Sequence, residues 1–246
     1  MKISTVTVCH NARATIARTV QSFLQQDHSN KELLVIDGGS TDGTVEIIQT
    51  FNSPYIRLIS EKDHGTYDAM NKGLANFSGD AVGFLNADDI YHDSSILTRI
   101  AQSLESADAV YGNLIMVSDH VTGHVVRTWN AGEFVPGAFR KGWMPPHPTF
   151  YVRRELAART GPFDLSYRIS ADYDFMLRAI ELHRPRMLYT PHILVDFMVG
   201  GISTRGPAAV IRGNLECLRS RRRYLRAPFL DKALFLKPFR KLKQLT

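Results

Sequence analysis

Cysteine is scarce in this chain: Cys9 and Cys217 are the only two among 246 residues, far apart and without metal-site spacing. That excludes a disulfide framework and a cysteine-built zinc module, and it sets the expectation of reduced thiols in a cytoplasmic setting. Long apolar runs are lacking too; none approaches the ~18–20 residues that a membrane span needs. The opening MKISTVTVCHNA is too short and too polar for a secretory leader and reads as a first strand. No internal repeat, low-complexity tract or linker interrupts the chain. Acidic residues run out toward the C-terminus, where Glu216 and Asp231 stand against many Lys and Arg from Arg205 onward.

What is present is the composition of a globular protein, 44% hydrophobic and 22% charged. The length suits one large α/β domain with a short appendage. The net charge of +6 is concentrated in the tail. There, cation runs from Arg219 and from Lys237 alternate with Phe229, Leu230, Leu234, Phe235, Leu236, Phe239 and Leu242. Such a basic amphipathic segment lies on an anionic leaflet or packs its apolar stripe on the domain. Nucleic-acid binding through it is a weaker reading, because no recognition motif accompanies the charge.

Short apolar segments at 3–8, 33–36, 56–59 and 81–85 read as four buried strands. Helical spacing follows the first at 14–26; Ser40 or Asp42 would cap a second helix, and Thr66 or Asp68 would open a third through 75. Repeated β-α units of this kind predict a parallel, nucleotide-binding half. Each strand ends in polar residues: Cys9-His10-Asn11, then Asp37, then Glu61 to Asp63, then Asn86, Asp88 and Asp89. Ligands bind at that edge of an open α/β sheet. A single Asp there is usually a helix cap, but four polar clusters on one edge argue for a site. Asp88 and Asp89 repel each other unless a donor or cation intervenes, and Mg²⁺ commonly takes one or two carboxylates plus phosphate oxygens.

The second half is less regular. Strands are expected at 109–111, 114–117 and 125–129, a long loop at 132–148, and helices at 153–159 and 171–182, before one or two basic helices.

The stretches Asp37-Gly-Gly-Ser-Thr-Asp-Gly-Thr44, Asp63-His-Gly-Thr-Tyr-Asp-Ala-Met-Asn-Lys-Gly73 and Leu85-Asn-Ala-Asp-Asp89 resemble family-2 glycosyltransferases of the GT-A fold, in particular colanic-acid-type bacterial polysaccharide enzymes. The likeness continues through Ser170-Ala-Asp-Tyr-Asp174 and Gly200-Gly-Ile-Ser203. It implies a Rossmann-like, mostly parallel sheet flanked by helices over residues 1–205, with a nucleotide-sugar half at 1–92 and an acceptor half at 93–205. Residues 206–246 would be a basic helical tail, peripheral on the inner face of the membrane.

The resemblance further implies inverting transfer of one sugar from a nucleoside-diphosphate sugar to a hydroxyl of a lipid-linked saccharide or glycolipid. Asp37 would hydrogen-bond the nucleobase with His10 and Asn11 beside it, and Glu61 and Asp63 would lie near base or ribose. Asn71 and Lys72 follow, with Lys72 a counter-charge for the diphosphate. Asp88 would hold Mg²⁺ or Mn²⁺. Asn86 stands where the family's metal motif begins with Asp, so it becomes a ribose contact or an outer hydrogen-bonder. Asp172 would be the general base, with Asp174 as second choice; Ala171 stands where the family often has Glu. His147 and Trp143, on the long loop, would face the acceptor, and Tyr67 with Trp143 would flank a sugar ring. The processive synthases' Gln-x-x-Arg-Trp motif is missing, so a single transfer is expected.

Two other readings remain. A nucleotidyltransferase would carry a glycine-rich basic loop near the N-terminus, where residues 9–13 have no glycine. A non-catalytic nucleotide-sugar binder or scaffold subunit draws support from Asn86 and Ala171.

Overall fold

The computed structural model describes residues 1–200, 206–228 and 233. Its first half alternates strand and helix: β1 (Ile3–Cys9), α1 (Ile16–Leu24), β2 (Lys31–Asp37), α2 (Thr44–Thr50), β3 (Ile56–Ser60), α3 (Thr66–Asn76) and β4 (Ala81–Phe84). The second half holds β5 (Ile90–Tyr91), α4 (Ile96–Glu105), β6 (Ala109–Val117), β7 (Val125–Trp129), β8 (Tyr151–Arg153), α5 (Arg154–Thr160), α6 (Ala171–Leu177), β9 (Met187–Met198) and α7 (Pro207–Leu225). A π-helical turn, Arg178–Leu182, prolongs α6.

All the strands join one sheet in the order β3-β2-β1-β4-β8-β6-β9-β5, with β7 on β6. The pairs β1–β2, β2–β3, β1–β4 and β6–β9 are parallel. Because β8 is antiparallel to both β4 and β6, those two run the same way. Only β5, β7 and β8 oppose the rest. The sheet is therefore mostly parallel, with helices on both faces.

Alternation along β2 builds those faces. Leu33 and Val35 join Ile3, Val20, Phe23, Ile100 and Leu104 on the side of α1 and α4. Leu34 and Ile36 join Val6, Met70, Phe163 and Phe175 on the side of α3 and α6. Gly73 lets α3 lie directly on β1: a Cβ there would stand 2.4 Å from Val6 Cγ1.

Four features differ from the sequence reading. Helix α4, with Ile96, Leu97, Ile100 and Leu104 buried, fills a stretch in which none was expected. The segments 109–111 and 114–117 form one strand, β6, whose register slips around Gly112 and Asn113. Strands β8 and β9 were not anticipated, and β9 is the longest of all at 12 residues. Finally, no helix follows Asp88-Asp89; β5 does, so capping is not what those acids do there.

The tail expected from residue 206 is, over α7, packed on the domain. Cys217, Leu218, Ser220, Arg221 and Leu225 are buried, while Ile211, Leu215, Arg212, Arg219, Arg222, Arg223 and Arg226 are exposed. The apolar residues 229, 230, 234–236, 239 and 242 named above lie outside the described residues, as do residues 201–203. Among the described residues, no helix is long and apolar enough to cross a membrane.

Candidate functional site

The parallel register aligns the strand ends: Cys9 lies opposite Asp37, and Asp37 opposite Ser60. Beyond that edge opens a cleft of about 850 Å³. The C-terminal end of β1 supplies Cys9, His10 and Asn11, the β3–α3 turn supplies Asp63 and Gly65, and the first turn of α3 supplies Tyr67. The loop after β4 adds Asn86 and Asp88, the 3-10 turn His147–Thr149 adds His147, and the approach to α6 adds Arg168, Ile169 and Asp172. Of the residues named from sequence, His10, Asn11, Asp63, Asn86, Asp88, His147, Tyr67 and Asp172 are thus brought together.

Asp37 is not in the cleft but behind its wall, fully buried. Its Oδ2 accepts the N–H groups of Gly39 (3.1 Å) and Ser40 (3.0 Å) and the hydroxyl of Ser60 (2.7 Å). Its Oδ1 accepts the Ser40 hydroxyl (2.5 Å) and the Cys9 thiol (3.6 Å). Burial alone would raise this carboxyl; the bonds from Ser40, Ser60 and Gly39 outweigh it and hold it below its ordinary value. A carboxylate has about four lone-pair sites, and these donors take them. In this geometry Asp37 shapes the loop that carries Ser40 and leaves nothing for a nucleobase. The carboxylate that reaches the cleft from this corner is Asp63. A Cβ on Gly38 would fall 2.3 Å from Asp63 Oδ2, so the glycine makes Asp63's place. Asp63 Oδ1 accepts the N–H of Gly65 at 2.8 Å.

The loop after β4 is pinned by Asp89, which is fully buried. Its carboxylate accepts the Asn86 amide (2.6 Å) and the N–H of Met198 (2.9 Å), and its carbonyl accepts the Thr19 hydroxyl (2.8 Å). Burial first, and then the neighbouring Asp88, push the Asp89 carboxyl well above its ordinary range. With Asp at position 86, two carboxylates would face each other there. Asp88 points the other way, into the cleft, with its main-chain carbonyl bonded to His120 at 2.7 Å. Burial raises its carboxyl as well. No group of three or more His, Cys, Asp or Glu able to hold a metal occurs among the described residues. A hard divalent ion that takes one carboxylate and completes its shell with diphosphate oxygens and water fits this single desolvated Asp88.

On the opposite side, Asp172 lies in the first turn of α6. The Tyr67 hydroxyl donates to Ile169 O (2.6 Å) and lies 3.4 Å from Asp172 Oδ1. Burial and the Asp172 charge raise that phenol, so it stays protonated. His147 stacks on Phe84 with centroids 5.3 Å apart, and its Nε2 is buried without a hydrogen-bond partner among the described residues. Burial lowers its pKa against the pull of Asp172, which keeps the ring neutral.

Other named residues stand away from the cleft. Glu61 and Lys72 pair at 2.9 Å, and Lys72 Nζ also reaches Lys62 O at 2.9 Å. The Asn71 amide clasps the main chain of Phe163, donating at 3.0 Å and accepting at 2.7 Å. Trp143 is buried among Tyr111, Phe134 and Phe139, with its indole N–H on Ala131 O at 2.8 Å. Asp174 is fully buried against Arg178 (2.8 Å) and Ser220 (2.8 Å). The lining residues Arg168 and Phe197 were missed, since no motif marks them.

Comparison with known proteins decides the family. The model of glycosyl transferase family 2 matches residues 4–163. The chain belongs to glycosyl transferase family 2. A PGL/p-HBAD biosynthesis glycosyltransferase of Mycobacterium tuberculosis is 35% identical over 175 residues, covering 68% of this chain and 65% of that protein. The chain thus spans about two thirds of the length of that relative. Another M. tuberculosis glycosyltransferase is 29% identical over 221 residues, covering 87% of this chain and 81% of its own. Among solved structures, Staphylococcus aureus TarS 1–349 in complex with UDP-GlcNAc superposes with TM-score 0.69 at 17% identity, over 97% of this chain and 71% of that one. A mannosyltransferase of Pyrobaculum calidifontis in complex with GDP-Man and Mn²⁺ gives 0.68 at 19%, over 98% and 68%. These likenesses establish the GT-A fold of this family-2 chain.

Proposed function

We propose that this family-2 protein is an inverting glycosyltransferase that moves one sugar from a nucleoside-diphosphate sugar to a hydroxyl of a lipid-linked saccharide or glycolipid in bacterial polysaccharide assembly. The observation that carries the reading is one cleft with three separate carboxylates, Asp63 at the nucleoside end, Asp88 on the β4 loop and Asp172 on α6. His10, Asn11 and Asp63 form the nucleoside end, with Asp63 offering acceptors to base or ribose N–H and O–H groups. Asp88 would hold Mg²⁺ or Mn²⁺, which when bound neutralises charge growing on the departing diphosphate. Asp172 takes the proton of the acceptor hydroxyl as its oxygen bonds to the anomeric carbon and the diphosphate leaves with the bonding pair. Base catalysis of this kind contributes about 10²–10⁴ in rate. His147, neutral and with its Nε2 unpartnered among the described residues, offers a ring N–H or lone pair to sugar or acceptor. Asp37, Asn71, Glu61, Lys72, Trp143 and Asp174 support the walls. The exposed arginines and apolar side chains of α7 favour a peripheral position on an anionic membrane face, where such an acceptor resides.

A thermal-shift panel of UDP, GDP, dTDP and CMP, each with and without Mn²⁺, tests the donor side. A ligand at a hundred times its Kd stabilises by ~2.7 kcal/mol, or roughly 5–10 °C for a chain of this size. One diphosphate should give that shift with Mn²⁺ and lose most of it in Asp88→Ala. No shift with any nucleotide would favour a scaffold subunit instead.

A further inference from the structure

Glu216 is the lone acid of α7, with Arg212 four residues before it and Arg219 three after. A surface Glu so placed would be expected to pair along its own helix. Its carboxylate instead crosses to the segment that leads into α6. One oxygen accepts the N–H of Arg168 at 3.0 Å; the other accepts those of Ile169 and Ser170, both at 2.9 Å. Three successive main-chain N–H groups converging on one anion form a nest, here filled from a helix 46 to 48 residues away. Each bond is charge-assisted, hence strong for its type. The contact is reinforced: Ser170 Oγ donates to Gly213 O at 3.1 Å, and a Cβ on Gly213 would lie 3.2 Å from Ile169 Cγ2. Arg168 and Ile169 line the cleft, Ile169 O receives the Tyr67 hydroxyl, and Asp172 follows two residues after Ser170.

We propose that Glu216 is a positioning residue for sugar transfer: by fixing the main chain at 168–170 it sets where the Asp172 carboxylate stands in the cleft. The proposal rests on Asp172 as the base. Glu216 does not line the cleft, and the donor contacts named above (His10, Asn11, Asp63 and Asp88) come from other elements. Its removal should therefore slow the chemical step and spare nucleotide binding. Displacement of a reacting group by about 1 Å can lower a rate ~100-fold.

The test uses the full chain and its Glu216→Gln and Glu216→Ala variants, with UDP-GlcNAc and GDP-mannose in Mn²⁺. Three quantities are read: donor hydrolysis rate at saturation, Kd for UDP and GDP, and amide exchange at 168–172. Glu216→Ala should lower kcat by ~100-fold, leave nucleotide Kd within about twofold, and speed exchange at 168–170 alone. Glu216→Gln, whose amide oxygen still accepts, should recover part of kcat. Wild-type kcat in Glu216→Ala, or parallel loss of kcat and nucleotide affinity, overturns the positioning role. Asp172→Asn run alongside separates the two ideas: if it retains wild-type hydrolysis, the base assignment fails. If it is inactive while both Glu216 variants are normal, only the positioning role fails.

Discussion

The amide of Asn86 donates to a carboxyl that burial has stripped of water, and an acid at position 86 would lose that donor. Among the described residues the Asp89 carboxyl accepts from Asn86 and Met198 alone, and its charge is already disfavoured by burial and by Asp88. Asn86→Asp, which restores the family's usual pattern, should therefore destabilise this protein. Loss of the hydrogen bond to this buried carboxyl, replaced by a second carboxyl facing it, costs about 2 kcal/mol. Melting at pH 7 should drop by roughly 4–8 °C. An unchanged melting point would mean that Asp89 is protonated in the fold and needs no donor. His147 gives a second residue-level consequence. Burial lowers its pKa from the ordinary imidazole value near 6.5, so the unfolded chain binds its proton first. The stability it contributes is fully present above pH 6.5 and is lost as pH falls through the lower folded value. Melting temperature should decline from pH 7 to 5 more steeply in the wild type than in His147→Gln; parallel curves would show that the ring is solvated.

Helix α3 owes its seat on the sheet to Gly73, a residue that local propensity would replace. Alanine is worth up to ~1 kcal/mol more than glycine inside a helix. At this site the added Cβ would press on Val6 at 2.4 Å, and overpacking of that kind costs about 1–3 kcal/mol. Gly73→Ala should lower the denaturant midpoint despite its better helix propensity; a raised midpoint would show that α3 can lift off β1 freely. The same element-level physics explains what could be read beforehand. Strands β1 to β4 were legible because each is a short apolar run closed by polar residues. Strand β9 was not, because Pro191 interrupts it and Thr190 and His192 flank the proline, and a proline demotes a strand reading. Strand β8 has only three residues and derives its place from β4 and β6 on either side. In the site, the resemblance named His10, Asn11, Asp63, Asn86, Asp88 and Asp172, and these line one cleft. It could not show that Asp37 and Asp174 turn inward to protein donors, because sequence order carries no side-chain direction.

At the scale of the whole molecule, α7 joins two surfaces with opposite demands. Its inner side holds the approach to α6 through Glu216 and buries Cys217, Leu218 and Leu225 in the domain. Its outer side exposes Ile211 and Leu215 near one end and Arg219, Arg222, Arg223 and Arg226 toward the other. An anionic leaflet suits that second face: each cation near it gains about 1 kcal/mol, and apolar side chains add burial at the headgroup boundary. The full chain should co-sediment with vesicles containing phosphatidylglycerol and not with pure phosphatidylcholine. Binding should weaken as salt shortens the ~8 Å screening length of physiological solution. In the double variant Ile211→Asp, Leu215→Asp, which leaves the inner face intact, binding should fall at least tenfold with nucleotide-induced thermal shifts preserved. Equal binding to both vesicle types would remove the charge argument, and an unaffected double variant would move the contact off α7.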